Sequence, residues 1–323
     1  MAELRWNPLL DTFSMMASNR QHRPHLPNNW CAFCPGEGKK VPANFDVLAY
    51  PNDFPVLSQQ PETINISNTS ITKNKKAYGK CEVILYSPQH NIKLYELADA
   101  HILKLIQLWK SRFENLANDK KIKYIFEFEN KGEEVGVTMP HPHGQLYAYS
   151  WIPSKIKTEL DNCKKYFRKH KRNLFDDLNQ SEKQYQKRVV AENDYFVAYI
   201  PYFTDYPFGV FIVAKTNLQN FTEFNDAEMK AFGNLLKQLT KGFDAIYDRP
   251  FPYIMAIHQS PVNTKKYANC ATYFRFHVEF YPPLRAKDKI KYYAGSEMGA
   301  GAAANPLDID ECALLLKNKI EEQ

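Results

Sequence analysis

The chain repeats itself at long range, and that limits its fold more than any other feature. Val83-Ile84-Leu85-Tyr86 and Val210-Phe211-Ile212-Val213 are short apolar runs 127 residues apart. The same interval lays Leu94, Glu96, Asp99 and Ala100 on Phe221, Glu223, Asp226 and Ala227. Beyond each run, apolar residues recur at helical spacing. These are Ile102, Leu105, Ile106, Trp109, Phe113 and Leu116 in one copy, and Met229, Phe232, Leu235, Leu236, Leu239, Phe243 and Ile246 in the other. A strand at Tyr124 to Glu129 follows the first helix, and one at Tyr253 to His258 follows the second. Phe276 to Tyr281 then stands where the His141-Pro-His143 segment stood. Any strand-helix-strand pair can be laid on another, but matched acidic positions beside matched apolar ones favour duplication. The expected fold is α+β: two related halves on antiparallel strands with packed helices.

The halves divide as residues 1–160 and 191–323, joined by a Lys- and Asn-rich segment, 161–190, that reads as partly helical. Residues 1–30 read as irregular, and 60–79 as a polar connection or an edge hairpin. The tail holds a short helix from Asp308 to Glu321.

A chain of 323 residues with 44% hydrophobic and 24% charged residues can bury a large core. Its net charge of +6 is spread along the sequence, which favours anionic small molecules without implying nucleic acid. No apolar run would span a bilayer, and the N-terminus lacks the layout of a signal peptide. Of the six cysteines, only Cys31 and Cys34 are closely spaced. That pattern suits reduced thiols with one metal-type pair, and a cytoplasmic protein.

The chemistry concentrates between Glu129 and Gln145. Glycines at 132 and 136, with Pro140 and Pro142, exclude a helix. In an extended chain alternate residues share a face, so His141, His143 and Gln145 point the same way. His143 is the candidate nucleophile: an imidazole of ordinary pKa, ~6.5, is largely neutral at neutral pH and can attack phosphorus. The phosphoramidate so formed can pass its group on. Gln145 can donate to a non-bridging oxygen without titrating, and Asn130, Gly136 and Thr138 supply further donors and close backbone approach. The same residues also suit a turn histidine beside a packed one.

Cys31, Cys34, His90 and His141 have the donor types of a closed, tetrahedral zinc site, against the alternative of a buried cysteine pair and unrelated histidines. Glu159, His258, His277 and Glu279 offer a second set suited to iron or zinc, although scattered His and Glu are common. Arg20 and Arg23 could clamp a diphosphate or be solvated, and Asn52-Asp53 could meet a base edge or form an Asx turn.

Several motifs now fall in a familiar order: Arg20-Gln-His-Arg23-Pro, Cys31-x-x-Cys34, Asn52-Asp53-Phe, Ser87-Pro-Gln-His90, Phe128-Glu-Asn130-Lys-Gly, His141-Pro-His143-Gly-Gln145 and Phe280-Tyr-Pro-Pro-Leu284. The sequence resembles the galactose-1-phosphate uridylyltransferases, a nucleotidyltransferase branch of the histidine-triad superfamily, through most of its length. That resemblance implies a duplicated histidine-triad (HIT-like) fold. It also implies a ping-pong exchange of UMP between UDP-glucose and a hexose-1-phosphate, galactose-1-phosphate being the expected acceptor, through a uridylyl-His143 intermediate. It implies Gln145 on the phosphoryl oxygens with Phe128, Asn130, Gly136 and Thr138 in the same segment, structural zinc through His141, and Asn52 and Asp53 near the nucleotide. It further implies a homodimer in which Arg20, Arg23, Lys291 and Glu297 act on the partner's substrate, and a second metal at Glu159, His258 and His277.

Three positions depart from that pattern. Glu279 stands where a histidine is usual in the second metal set, Ser296 where tyrosine is usual, and Ala303 near a usual glutamine. The last two bear on the acceptor sugar phosphate. Three rivals follow: a nucleotide-sugar phosphorylase of ADP-glucose type, a histidine-triad hydrolase, and a zinc-stapled nucleotide-binding module. Gln145 weighs against hydrolysis, because an amide cannot protonate a leaving group as a third histidine would.

Overall fold

The structure, a computed structural model, describes residues 2–22, 30–36, 39, 41–63 and 68–323, the side chains of residues 19 and 22 aside. Its strands are β1 (Ala2–Asn7), β2 (Thr12–Ala17), β3 (Leu48–Pro51), β4 (Asn74–Lys76), β5 (Gly79–Leu85), β6 (Tyr124–Lys131) and β7 (His143–Tyr149) in the first half. The second half holds β8 (Val189–Glu192), β9 (Phe196–Tyr199), β10 (Phe211–Ala214), β11 (Tyr253–His258), β12 (His277–Tyr281), β13 (Leu284–Ala286) and β14 (Lys289–Ile290). The helices are α1 (Asp99–Ala117), α2 (Ser154–His170), α3 (Leu174–Tyr185), α4 (Asp226–Ile246) and α5 (Ile309–Glu321).

Nine strands form one antiparallel sheet in the order β3-β5-β7-β6-β11-β12-β10-β9-β8. The run β5-β7-β6 is mirrored by β10-β12-β11 about a seam where β6 pairs with β11, from Tyr253 opposite Lys131 to Ile257 opposite Glu127. The duplication is therefore real, and the halves share one sheet. One face is covered by α1, α4 and α5, with Trp109, Phe232 and Leu316 packed on Ile84, Leu146, Ile257 and Val278. Burial of such side chains, each contributing about 1.5–3 kcal/mol, drives the sheet and helices together. A Cβ at Gly233 would come 3.1 Å from Ile106, so glycine lets α4 approach α1. Asn225 starts α4 by accepting from the Glu228 N–H while the Glu228 carboxylate accepts from the Asn225 N–H.

The 127-residue interval holds for the short turns Leu94–Glu96 and Phe221–Glu223 and for the starts of α1 and α4. In the strands it is one residue out. Ile84 and Ile212, 128 apart, both face the helices, whereas Leu85 and Val213 face the other side. Tyr124 likewise lies on the opposite face from Tyr253, which packs on Phe243. A one-residue slip inverts a strand. These runs are apolar on both faces, so they carry no alternation to fix the register.

Residues 1–30 were expected to be irregular, yet β1 and β2 form a hairpin there with Trp6 opposite Phe13, and β4 adds to its edge. Both strands are short, and Leu4 is the buried apolar residue of the pair, so their apolar residues show no strong periodicity. The segment 161–190 lies mostly in α2 and α3, which cover part of the sheet's other face through Ile156, Leu160, Cys163 and Phe175. Among the described residues no helix is long and apolar enough to cross a membrane.

Candidate active site and metal clusters

Strand β7 carries His143, Gln145, Tyr147 and Tyr149 on the face away from α1 and α4, while Leu146 and Ala148 enter the helical core. Gly144, between them, is required by its neighbours: a Cβ there would come 2.5 Å from Tyr86 Oη and 3.1 Å from the Phe128 carbonyl oxygen. Upstream, Gly132 (φ +99°) and Gly136 (φ +81°) take conformations that side chains disfavour, which turns β6 into the approach to His141.

His141 and His143 divide their roles through hydrogen bonds. The Nε2 of His141 lies 2.8 Å from the Ser87 carbonyl oxygen and so carries the proton, leaving Nδ1 as a ligand. That Nδ1 is 3.6 Å from Cys34 Sγ and 3.8 Å from Cys31 Sγ, and His90 Nδ1 is 3.2 Å from Cys34 Sγ. A tetrahedron with metal–sulfur and metal–nitrogen bonds of ~2.3 and ~2.0 Å has sulfur–nitrogen edges of roughly 3.5 Å, so the four donors fit one ion. Burial and the adjacent Cys31 push the Cys34 thiol up to about 11, a penalty that a cation would relieve. The turn that supplies the cysteines also sets Phe33 against His143, ring centres 5.1 Å apart.

His143 has the opposite polarity. Its Nδ1 lies 2.7 Å from the His141 carbonyl oxygen and donates to it, so the ring lone pair is on Nε2. His143 and Gln145 line a cleft with Trp30, Phe33, Tyr50, Asn52, Asp53 and Met139. Asn52 does form an Asx turn, accepting from the Phe54 N–H at 2.9 Å, and Asp53 accepts from Tyr50. Both are nonetheless part of the cleft wall. Asn130 lines the adjoining cavity that also reaches His143. The Thr138 hydroxyl is buried without a hydrogen-bond partner among the described residues. Phe128 pairs with Gln145 across β6 and β7 and meets Tyr147 edge-on.

Arg20 reaches this site within its own chain, donating to the Tyr147 hydroxyl at 3.1 Å. Arg23 lies outside the described residues. Tyr147 was not singled out in the sequence, although its place two residues beyond Gln145 on the same strand face was the available signal.

The other half repeats the arrangement with different side chains. In β5, Leu85 and Val83 pair with His143 and Gln145; in β10, Val213 and Phe211 pair with His277 and Glu279. His277 and Glu279 are thus the counterparts of His143 and Gln145. With Glu159 and His258 they place four donor atoms within 4.8 Å of one another. The His277 Nδ1 faces the Arg275 carbonyl at 3.0 Å, which leaves Nε2 for a ligand. Burial would raise the Glu279 carboxyl, but His258, His277 and Lys155 outweigh it and hold it well below the usual range. One oxygen of Glu159 is buried without a hydrogen-bond partner among the described residues. Two imidazoles and two carboxylates suit a divalent transition metal.

Lys291 and Glu297 stand together, 3.6 Å apart, with Lys291 Nζ over the rings of Tyr206 and Tyr293. Tyr206, Tyr293 and Ala303 line a broad concavity that spans both halves, from Phe126 and Phe128 to His258 and Glu279. The Ser296 hydroxyl turns inward to the Ala302 carbonyl.

The doubled antiparallel sheet with its packed helices is a duplicated histidine-triad-like fold, and one half carries the candidate nucleophile His143 beside four residues that could hold a metal ion. Its likeness to known proteins is more particular. Residues 4–153 match the model of the galactose-1-phosphate uridyl transferase N-terminal domain, and residues 159–309 that of the C-terminal domain, so the chain belongs to this family. The galactose-1-phosphate uridylyltransferase of Thermotoga maritima is 34% identical over 318 residues, covering 98% of each chain. A solved uridylyltransferase superposes with TM-score 0.88 at 27% identity over 99% of both chains. An Arabidopsis thaliana ADP-glucose phosphorylase shares the fold, with TM-score 0.74 at 24% identity over 98% of this chain and 99% of that one.

Proposed function

We propose that this chain is a UDP-glucose–hexose-1-phosphate uridylyltransferase with galactose-1-phosphate as acceptor. The observation that carries the reading is the His143 hydrogen bond to the His141 carbonyl, which leaves the ring lone pair on Nε2 at a cleft shared with Gln145. His143 Nε2 attacks the α-phosphorus of UDP-glucose. The bond from that phosphorus to the bridging oxygen breaks, and glucose-1-phosphate leaves. As Nε2 becomes bonded, the His141 carbonyl still accepts the Nδ1 proton and offsets the positive charge on the ring. A phosphate oxygen of galactose-1-phosphate then attacks, the phosphorus–nitrogen bond breaks, and UDP-galactose departs. The Gln145 amide donates to the phosphoryl oxygens in both steps, with Asn130 and Thr138 beside it. Asn52 and Asp53 wall the nucleotide end, and Phe128 supports Gln145 from the neighbouring strand.

Zinc suits the thiolate and imidazole set at Cys31, Cys34, His90 and His141, where it would brace the segment that carries His143. Iron or zinc suits Glu159, His258, His277 and Glu279. The family likeness favours a homodimer, with Lys291 and Glu297, and Arg23 where it is reached, serving the partner's sugar phosphate. The proposed division is residues 1–160, 161–190 and 191–323; α2 runs across the first boundary and β8 across the second. Thiol ligands need reducing surroundings, which fits the cytoplasm.

UDP-glucose labelled at the α-phosphorus tests the reading: an acid-labile label should remain on the protein and be discharged by galactose-1-phosphate. A protein that never retains the label has no covalent step. ADP-glucose as donor, with inorganic phosphate as acceptor, tests the phosphorylase chemistry in the same assay.

A further inference from the structure

We propose that Tyr147 is a positioning residue that sets the orientation of the Gln145 amide, and that Arg20 in turn sets the direction of the Tyr147 hydroxyl. The proposal rests on the uridylyl-transfer reading for its consequence in turnover, and on geometry alone for the orientation itself.

A guanidinium only donates, so the 3.1 Å contact from Arg20 Nη1 is accepted by the Tyr147 oxygen. The single phenolic hydrogen is then the one to donate, and the Gln145 Oε1 accepts it at 3.4 Å. Accepting there commits the carbonyl end of the amide to Tyr147 and leaves the Nε2 hydrogens for the phosphoryl oxygens. A flipped amide would set a carbonyl oxygen against an anion. At 3.4 Å the bond is long, so its contribution is to direction more than to stability. The Tyr147 ring is held separately, edge-on to Phe128 with centres 5.2 Å apart and to Tyr149 at 6.1 Å. The hydroxyl can therefore be removed while the packing stays.

The test uses Tyr147→Phe, Arg20→Ala and the double variant, each assayed for single-turnover transfer of label from UDP-glucose to His143. Removing one orienting hydrogen bond should slow transfer about 10-fold, with KM for UDP-glucose within about twofold and the melting temperature unchanged. The double variant should be no slower than the slower single one, because both residues act through one hydrogen bond. Transfer at the wild-type rate in Tyr147→Phe overturns the proposal. Multiplying losses overturn the Arg20 link, since Arg20 would then act on substrate by itself. A fall in melting temperature that tracks the loss of rate overturns it in favour of a packing role. If the wild-type protein retains no label, uridylyl transfer fails as a reading. The side-chain 15N resonance of Gln145 then still decides the orientation: it should shift in Tyr147→Phe, and an unmoved resonance refutes it.

Discussion

His143 donates its Nδ1 hydrogen to the carbonyl oxygen of His141, 2.7 Å away, while His141 donates its own Nε2 hydrogen to Ser87. Two histidines one proline apart thus present opposite ring nitrogens: His141 sets Nδ1 beside the Cys31 and Cys34 thiols, and His143 keeps its lone pair on Nε2. His143→Gly should lower kcat by at least about 1,000-fold, because the covalent route is lost with the side chain. Its melting temperature should stay within a few degrees of wild type. A variant that turns over near the wild-type rate and carries no label would remove His143 from the chemistry.

The braced turn gives a different expectation. Cys31→Ser should release metal from the first cluster and lower the melting temperature, with activity falling in step. Phe33 sits between Cys31 and Cys34 and packs on His143, so loosening the turn disturbs the nucleophile. Metal analysis and calorimetry on the same sample check this. Lost activity with full metal content and an unchanged melting temperature would contradict the bracing role.

Much of this site was legible in the sequence because its signals are local. Prolines and glycines around His141 and His143 exclude a helix, and alternation along β7 puts Gln145 on the face of His143, while His141 lies in the bend before the strand. The helices were legible from the spacing of Ile102 to Leu116 and Met229 to Ile246. What escaped was cross-strand information. Ile84 and Ile212 sit in runs apolar on both faces, so the repeat was matched one residue out. The sequence lays Phe276 to Tyr281 on the His141–His143 segment, but the one-to-one match of His277 with His143 and Glu279 with Gln145 comes only from the sheet register. Arg20 and Tyr147 lie 127 positions apart, a distance no local pattern bridges.

The second cluster should bind metal independently of the first. Glu159→Ala should remove the second equivalent and leave the first, since Cys31, Cys34, His90 and His141 form a separate group. Metal quantified per chain before and after the substitution gives the answer. Loss of both equivalents together would show the clusters to be coupled through folding.

Gly144 is fixed by what lies behind it. Gly144→Ala would drive a methyl group toward Tyr86 Oη, 2.5 Å from the ideal Cβ, and cost about 1–3 kcal/mol as overpacking. Tyr86→Phe in the same chain removes the oxygen and should recover part of that loss in denaturant unfolding. The Phe128 carbonyl at 3.1 Å remains, so recovery should be incomplete. No recovery at all would place the clash elsewhere.

Glu129 accepts from Tyr86 and from Tyr253, each at 3.2 Å, in the protein interior. Burial raises its carboxyl to about 7, against the lowering effects of Lys131 and the two tyrosines. The folded chain therefore holds this proton to higher pH than the unfolded chain, whose carboxyl titrates near ~4.3. Between those values the folded state binds more protons, so stability falls as pH rises from about 4.3 through about 7 and then levels. Glu129→Gln removes the titration while keeping an acceptor for a tyrosine. Its unfolding free energy should lose this part of the pH dependence, and the gap from wild type should move in the variant's favour by roughly 3 kcal/mol between pH 4 and pH 8. Urea unfolding at both pH values measures it, and a gap that does not change with pH would mean that Glu129 is ionised in the folded core.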